Sequence, residues 1–215
     1  MNVFIDPYDL KRALRDGLRI DGVVEEAPTD GQLYGRKNGA WAVIPFQLSV
    51  NYYFHNTASD IATYLQQLGS PYSPKTGIAS AALTAGNHVL KNFATDPGIP
   101  GFSFIPAGPY SVHVHAARTS GTKSAAVYAE IWECSALGAD IAMIGTTETS
   151  LVLTGTEVEF EIVYVNPNTH TLNSPASRIV TRMFAIIGSA GANPTVTLYV
   201  GGAADAHITF PAPNP

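Results

Sequence analysis

Beyond residue 77 the sequence alternates apolar and polar residues with a period of two, and turn-forming residues interrupt the alternation at short intervals. This pattern is typical of β-strands with one buried face. It predicts strands over 89–94, 102–105, 110–118, 124–133, 141–144, 150–153, 157–165, 177–187, 195–200 and 206–210, with an earlier strand over 50–55. Because no long helix separates them, we expect a mainly β fold, specifically an antiparallel jelly-roll β-sandwich.

Two stretches have helical spacing instead. In 7–20, Leu10, Leu14 and Leu18 recur every four residues, which predicts a short amphipathic N-terminal α-helix. A helix of this length is marginal alone, so its leucine stripe should dock on its own domain, a sister subunit or another protein. A weaker apolar pattern predicts a second helix over 57–68.

Between the first helix and the sheet lies the segment 27–43. Its Asp30-Gly31 and Asn38-Gly39 pairs are strong tight-turn signals flanked by strand-forming residues, which predicts a small β-hairpin. We therefore expect an N-terminal attachment segment over 1–48, made of helix plus hairpin. The jelly-roll domain should occupy 49–215.

Charge and cysteine content exclude several classes of protein. The net charge is -5 and the 12 Lys and Arg residues are spread thinly, so we expect no nucleic-acid partner. No apolar run has the length of a membrane helix, and the N-terminus lacks an export signal, so we expect a soluble chain with no membrane partner. The single cysteine, Cys134, is expected to be buried and inert.

Two histidines lie one residue apart in the strand predicted over 110–118. Strand alternation places Tyr110, Val112 and Val114 on the core face and both His113 and His115 on the opposite face. Along the strand the histidines are about 7 Å apart, so they could share one ion only if the rings tilt together.

A cupin, which is a metal-binding jelly roll, would have a glutamate ligand a few residues after such a pair. The residues that follow His115 include no acid up to residue 120, and His207 lacks the matching glycine-proline context. We therefore expect no catalytic residue, no cofactor and no metal, with His113 and His115 as the weak candidates for metal ligands. A cupin-like metal enzyme is the less favoured alternative.

The strand over 157–165 carries an acidic row. Its core face should be apolar, which leaves Glu157, Glu159 and Glu161 on the outer face as a solvated ladder. Arg178 and Arg182 share a face of the strand over 177–187. If these two strands pair, or meet across a subunit boundary, arginine–carboxylate contacts would fix their register.

The hairpin segment resembles a motif of bacteriophage virion proteins. It is similar to the P-x-D-G-x-x-Y-x-R-x-N-G-x-W segment of tail fibres and head fibres, which joins an attachment region to a projecting domain. The matching residues are Pro28, Asp30, Gly31, Tyr34, Arg36, Asn38, Gly39 and Trp41. More diffusely, 99–211 resembles phage jelly-roll or tumour-necrosis-factor-like fibre domains, with Gly201, Gly202, His207, Thr209 and Pro211 in the closing glycine-rich turn and strand.

This resemblance implies a non-enzymatic virion structural protein. Because the chain has no collagen-like or heptad shaft, we favour a homotrimeric capsid decoration or head-fibre protein over a tail fibre or receptor-binding protein that adsorbs to the host. The implied partners are sister chains and the major capsid protein or another virion protein. The tail-fibre alternative implies a host surface glycan as a partner. The implied location is the virion surface, after assembly in the host cytoplasm.

The resemblance also implies two sets of interacting residues. The attachment set is Leu10, Leu14, Leu18, Tyr34, Arg36 and Trp41. The trimer-interface set is His113, His115, Arg178, Arg182 and His207.

Overall fold

The computed structural model describes residues 34–37, 40–43 and 48–213, and all of the helix or strand structure in these ranges is β-strand. The strands are β1 Tyr34–Lys37, β2 Ala40–Val43, β3 Leu48–Ala58, β4 Leu65–Leu68, β5 Thr76–Ala79, β6 Gly86–Ala94, β7 Phe104–Ile105, β8 Gly108–Arg118, β9 Ala125–Cys134, β10 Asp140–Thr146, β11 Val158–Asn166, β12 His170–Thr171, β13 Arg178–Ile187, β14 Val196–Val200 and β15 His207–Ala212. In this part of the chain no helix could span a membrane. The expectation of a mainly β fold is confirmed.

The chain divides into two compact units, Met1–Phe46 and Gln47–Pro215. In the first unit β1 and β2 pair antiparallel, with Lys37 opposite Ala40, so that two residues separate the strands. These strands form the hairpin predicted for this segment. The helix predicted over 7–20 lies outside the described residues.

The second unit is built on an 11-stranded, mainly antiparallel sheet. Its strand order is β10-β9-β13-β6-β4-β3-β15-β8-β14-β5, and β11 pairs with β8 beside this path. The one parallel contact joins β4 to β6. The short strands β7 and β12 pair separately.

One hydrophobic core joins the two ends of this sheet. The alternate side chains of β8 that face inward, from Tyr110 to Ala116, are almost completely buried. They share a single cluster with inward residues of β9 and β13, including Ile131 and Met183. The predicted core face of β8 is therefore confirmed, and the ends of the strand ladder pack against each other through it.

The prediction of a helix over 57–68 is wrong. β3 continues to Ala58, and β4 occupies Leu65–Leu68 with alternating burial, so that Gln67 is completely buried. The apolar spacing fits a helical face, but pairing with β3 and β6 satisfies the backbone here and overrides this local preference.

The strand predicted over 150–153 is also not formed, although the segment follows the edge of β9. The backbone N–H groups of Ser150 and Leu153 donate to β9 carbonyls. The donors of β9, however, do not bind backbone carbonyls of this segment. The N–H groups of Val127 and Ala129 donate instead to the Ser150 and Thr147 hydroxyls, at 3.0 and 2.9 Å. Side-chain acceptors thus replace the backbone ladder that a strand needs.

Candidate functional site

The two histidines lie on β8 where three other strands surround it. β11 pairs along one edge of β8, from Val158 opposite Ala116 to Asn166 opposite Gly108. The other edge is shared by β15 and then by β14. β8 is therefore the strand at which the outer-face side chains of four strands converge.

The register of these strands produces two neighbouring rows of polar side chains. In one row His207 of β15, His113 of β8 and Glu161 of β11 lie side by side. In the next row His115 lies between Tyr199 of β14 and Glu159 of β11. Residues directly opposite in an antiparallel pair share a face, so the rows form one continuous cluster.

The imidazole rings of His113 and His115 face each other. Their Nε2 atoms are 3.1 Å apart. The Nδ1 atom of His113 lies 3.3 Å from the carboxylate of Glu161, and the Nδ1 atom of His115 lies 3.1 Å from that of Glu157. Only 15% and 11% of the two side chains is exposed, so the outer face is largely covered here rather than open.

Two further carboxylates lie near the imidazole ring of His113. The Nε2 atom of His113 lies 3.7 Å from the carboxylate of Glu159 and 3.5 Å from that of Asp205. The His207 ring stacks on His113 with a centroid separation of 5.1 Å. Its Nδ1 atom lies 2.6 Å from the backbone carbonyl of Asp205, which fixes the turn before β15.

A lysine anchors the outer end of the cluster. The ammonium group of Lys75 binds both carboxylate oxygens of Glu157 at 2.8 and 2.7 Å. It also lies 5.3 Å from the centre of the Tyr199 ring. Glu157 thus connects Lys75 to His115 and is held in place from both sides.

Within the described residues, His113, His115 and Glu159 have donor atoms that all lie within 4.8 Å of one another, close enough to bind one metal ion. The acid that does not follow His115 in its own strand is supplied by the neighbouring strand β11.

The acidic row was predicted as a solvated ladder on the outer face, which is confirmed for Glu159 and Glu161. It is wrong for Glu157, whose side chain is only 25% exposed because Lys75 and His115 cover it. The contact of the acidic row with the histidines was missed, because strand pairing cannot be read from alternation alone.

The predicted pairing of the acidic row with Arg178 and Arg182 within one chain is wrong. β13 lies between β9 and β6, so it does not reach β11. Arg178 binds Asp60 instead and is completely buried within its own chain, which leaves no exposed surface for an interface. Arg182 binds Asp140 and lies over the Trp132 ring, 4.6 Å from its centre.

A second polar cluster lies at the end of β9. The buried carboxylate of Glu133 accepts hydrogen bonds from the Ser177 hydroxyl at 2.7 Å, the Asn173 backbone N–H at 2.7 Å and the His170 ring at 2.8 Å. Burial acts to raise the Glu133 pKa, but these hydrogen bonds together hold the pKa below its ordinary value. All its partners are groups of the chain, so this cluster fastens the 170–177 loop.

The remaining predicted residues fall into two groups. The predicted burial of Cys134 is confirmed, and burial raises the pKa of its thiol to about 12, which disfavours the reactive thiolate. Tyr34 and Arg36 lie in β1, with Trp41 in β2 opposite Arg36. The other predicted attachment residues, Leu10, Leu14 and Leu18, lie outside the described residues.

The chain matches no protein-family model and no curated protein. Among solved structures, a CocE/NonD family hydrolase from Staphylococcus aureus has a TM-score of 0.53 at 10% identity, over 81% of this chain and 39% of the hydrolase. An aminopeptidase from the marine sediment archaeon Thaumarchaeota archaeon has a TM-score of 0.50 at 12% identity, over 80% and 38%. The chain thus spans about two fifths of these proteins. At such identities the likeness shows the fold alone.

Proposed function

We propose that this chain is a non-enzymatic structural protein of a bacteriophage virion, a homotrimeric capsid decoration or head-fibre protein on the particle surface. The observation that carries the proposal is the hairpin of β1 and β2, whose sequence matches the attachment motif from Pro28 to Trp41. It precedes a separate, larger all-β unit. This order of a short attachment segment and a projecting domain is the one that the resemblance implies.

We infer that the second unit is an antiparallel jelly-roll β-sandwich. Two groups of strands, around β9 with β13 and around β8 with β11, bury their inward faces in one core. The likeness to the solved hydrolase covers 81% of the chain, so it extends over most of the second unit rather than one hairpin. A sandwich of this kind exposes its outer faces for contacts with other subunits.

Exposed apolar side chains support the trimeric arrangement. Leu151, Val165 and Val89 are 80%, 67% and 54% exposed in the single chain. Val165 belongs to β11, which among the described strands pairs with β8 alone and therefore lies at an edge of the large sheet. Burial of such residues between sister chains favours association, and the place of His113, His115, Arg182 and His207 at that interface stays a prediction.

Binding to the assembled shell would stabilise the particle. A protein that binds the closed shell and not its separated subunits shifts the equilibrium toward the closed state, by an amount set by its affinity and concentration. No bond has to be broken in this mechanism, so the chain needs no catalytic group.

The test is attachment to particles assembled without this chain. We expect the full chain to sediment with them, and the combined substitution Tyr34→Ala, Arg36→Ala and Trp41→Ala to abolish attachment while the β-domain stays folded. Leu137→Ala, at a 91% exposed position of the second unit that the proposal places in no interface, is the control and should attach. Full attachment of the hairpin variant would overturn the proposed role of this segment.

A further inference from the structure

We propose that His113, His115, Glu159 and Asp205 form a structural binding site for one divalent transition-metal ion of the Zn²⁺ class. All four ligands belong to a single chain. The site goes beyond the proposed virion role and does not depend on it.

The first argument is the orientation of the two imidazole rings. Each Nδ1 atom lies at a carboxylate, Glu161 for His113 and Glu157 for His115. Because an ionised carboxylate can only accept, each Nδ1 carries the hydrogen, and in the neutral rings both Nε2 atoms then carry lone pairs. These two lone pairs face each other across 3.1 Å. That arrangement is repulsive unless a proton or a metal ion lies between them, and the carboxylates around the pair favour either positive charge.

Carboxylates that bind the second ring nitrogen of a histidine are a common feature of metal sites in proteins. A histidine that binds a metal donates its second ring N–H to a carboxylate or carbonyl, which fixes the tautomer and directs the lone pair at the ion. Here both histidines have such a carboxylate. Glu157 is in turn fixed by two hydrogen bonds from Lys75, and the stacked His207 ring restricts the rotation of His113.

The second argument is the size of the site. With Zn–N and Zn–O bonds of about 2.0 to 2.2 Å, two ligand atoms of a tetrahedron lie roughly 3.3 Å apart. The distances from the Nε2 atom of His113 are 3.1 Å to His115, 3.7 Å to Glu159 and 3.5 Å to Asp205. All three differ from that spacing by only a few tenths of an ångström. The donor atoms of His113, His115 and Glu159 also lie within 4.8 Å of one another, so small side-chain rotations would bring these three onto one ion. Asp205 is placed by its distance to His113, and its carboxylate would rotate toward the other two ligands to complete the site.

The ligand set defines the kind of ion and its role. Two imidazoles with two carboxylates suit Zn²⁺ and similar transition metals, whereas Ca²⁺ and Mg²⁺ prefer oxygen ligands alone. Four protein ligands close a tetrahedral site, which is the structural rather than the catalytic form. The ligands come from β8, β11 and the turn that precedes β15, so the ion would cross-link three segments at the sheet surface.

Calorimetric titration of the full, untagged chain with Zn²⁺ alone, after treatment with a chelator, tests the site. We expect one ion per chain, and His115→Gln should weaken binding on the order of 100-fold or more. His88→Gln is the matched control, because the ring of this half-buried histidine hydrogen-bonds the backbone carbonyl of Thr84 and lies outside the proposed site. Absence of Zn²⁺ binding, or equal binding by the His115→Gln chain, would overturn the proposal.

Cobalt substitution distinguishes ligands from the residues that orient them. Co²⁺ bound to the wild-type chain should show the intense visible bands of tetrahedral coordination. Glu161→Gln, which changes an orienting carboxylate, should weaken binding about 10- to 100-fold and keep those bands. Glu159→Gln removes a ligand and should change the bands themselves. Unchanged bands and affinity in the Glu159→Gln chain would exclude this residue as a ligand and contradict the proposed set.

Discussion

The guanidinium group of Arg178 binds the carboxylate of Asp60 through two parallel hydrogen bonds of 2.7 and 2.9 Å, although 118 residues separate them in the sequence. The same group donates to the backbone carbonyls of Thr95, at 3.2 Å, and of Ala136. Hydrogen bonding to Arg178 holds the Asp60 pKa below its ordinary value and outweighs the effect of burial. One buried side chain thus connects the start of β13 with the segments that follow β3, β6 and β9.

Replacing this arginine should destabilise the domain strongly. Arg178→Ala leaves a cavity and two backbone carbonyls without their donor, so we expect the free energy of unfolding in urea to fall by about 3 kcal/mol. Lys91→Ala is the control, since this residue of β6 is only half-buried and its ammonium group forms no hydrogen bond or ion pair with the described residues. It should change the free energy by less than about 0.5 kcal/mol. Similar losses in both variants would contradict the anchoring role of Arg178.

The Glu133 cluster should make stability depend on pH in the acid range. A carboxylate whose pKa is lowered in the folded state contributes stability above its ordinary pKa of about 4.3, and the contribution is lost as the pH falls through the folded pKa. Glu133→Gln removes this titration. We therefore expect the variant to be about 1 to 3 kcal/mol less stable at pH 7 and to lose less stability than wild type between about pH 5 and pH 3.

The measurement is urea unfolding at each pH, with Glu148→Gln as the control. Glu148 is exposed, and no side-chain contact to another described residue is formed by its carboxylate. Its variant should follow the wild-type pH curve. If the Glu133→Gln curve has the same slope as the wild-type curve, the Glu133 cluster does not supply the acid-sensitive stability.

Gly145 should be required by the ring of Tyr164. A Cβ atom at position 145 would overlap this ring, which packs edge-on against Tyr110 with a centroid separation of 5.9 Å. Gly145→Ala should therefore cost about 1 to 3 kcal/mol of stability. Gly155→Ala, where the added methyl group meets no atom within 4 Å, should leave stability nearly unchanged.

A double-mutant cycle tests the cause of this loss. In a Tyr164→Ala background the methyl group has room, so the cost of Gly145→Ala should fall to less than half. The same cost in both backgrounds would show that the backbone of β10, rather than the tyrosine ring, requires the glycine.

The sequence predicts the strands well and their neighbours poorly. Alternation places the side chains of β8 and β11 on the correct faces because burial on one side of a sheet leaves a period-two pattern. Alternation says nothing of which strand lies beside which. The pairing of β11 with β8, and of β13 with β9, brings the Glu159 row to the histidines and the arginines to Asp60 and Asp140.

The candidate site was predictable in part for the same reason. His113, His115 and His207 were predicted, with Arg178 and Arg182, as trimer-interface residues, and the structure brings the three histidines together within one chain. Asp205 and Lys75 come from turns that carry no periodic signal. One sign was present in the sequence: a strand with two outward histidines and a strand with outward glutamates are complementary neighbours. The wrong helix prediction over 57–68 has a different cause. A local helical pattern is present there, but pairing with distant strands overrides it.

The chain should form a homotrimer whose assembly is independent of the metal site. Native mass spectrometry at neutral pH should detect complexes of three chains and three ions, with one ion bound to each chain. Since all four proposed ligands lie in one chain, chelation should remove the ions, leave three chains together and lower the melting temperature. A stable monomer or dimer would contradict the trimer, and dissociation on chelation would place the ion between subunits instead.

The most direct test of the proposed virion role is to locate the chain on purified phage particles, taken from lysates in which the chain is produced. Gradient-purified particles would be labelled with gold-conjugated antibodies raised against the folded chain and viewed by electron microscopy. We expect label over the whole surface of the head. Label confined to the tail would support the tail-fibre alternative. Absence of the chain from particles, with all of it remaining in the lysate, would contradict a virion structural role.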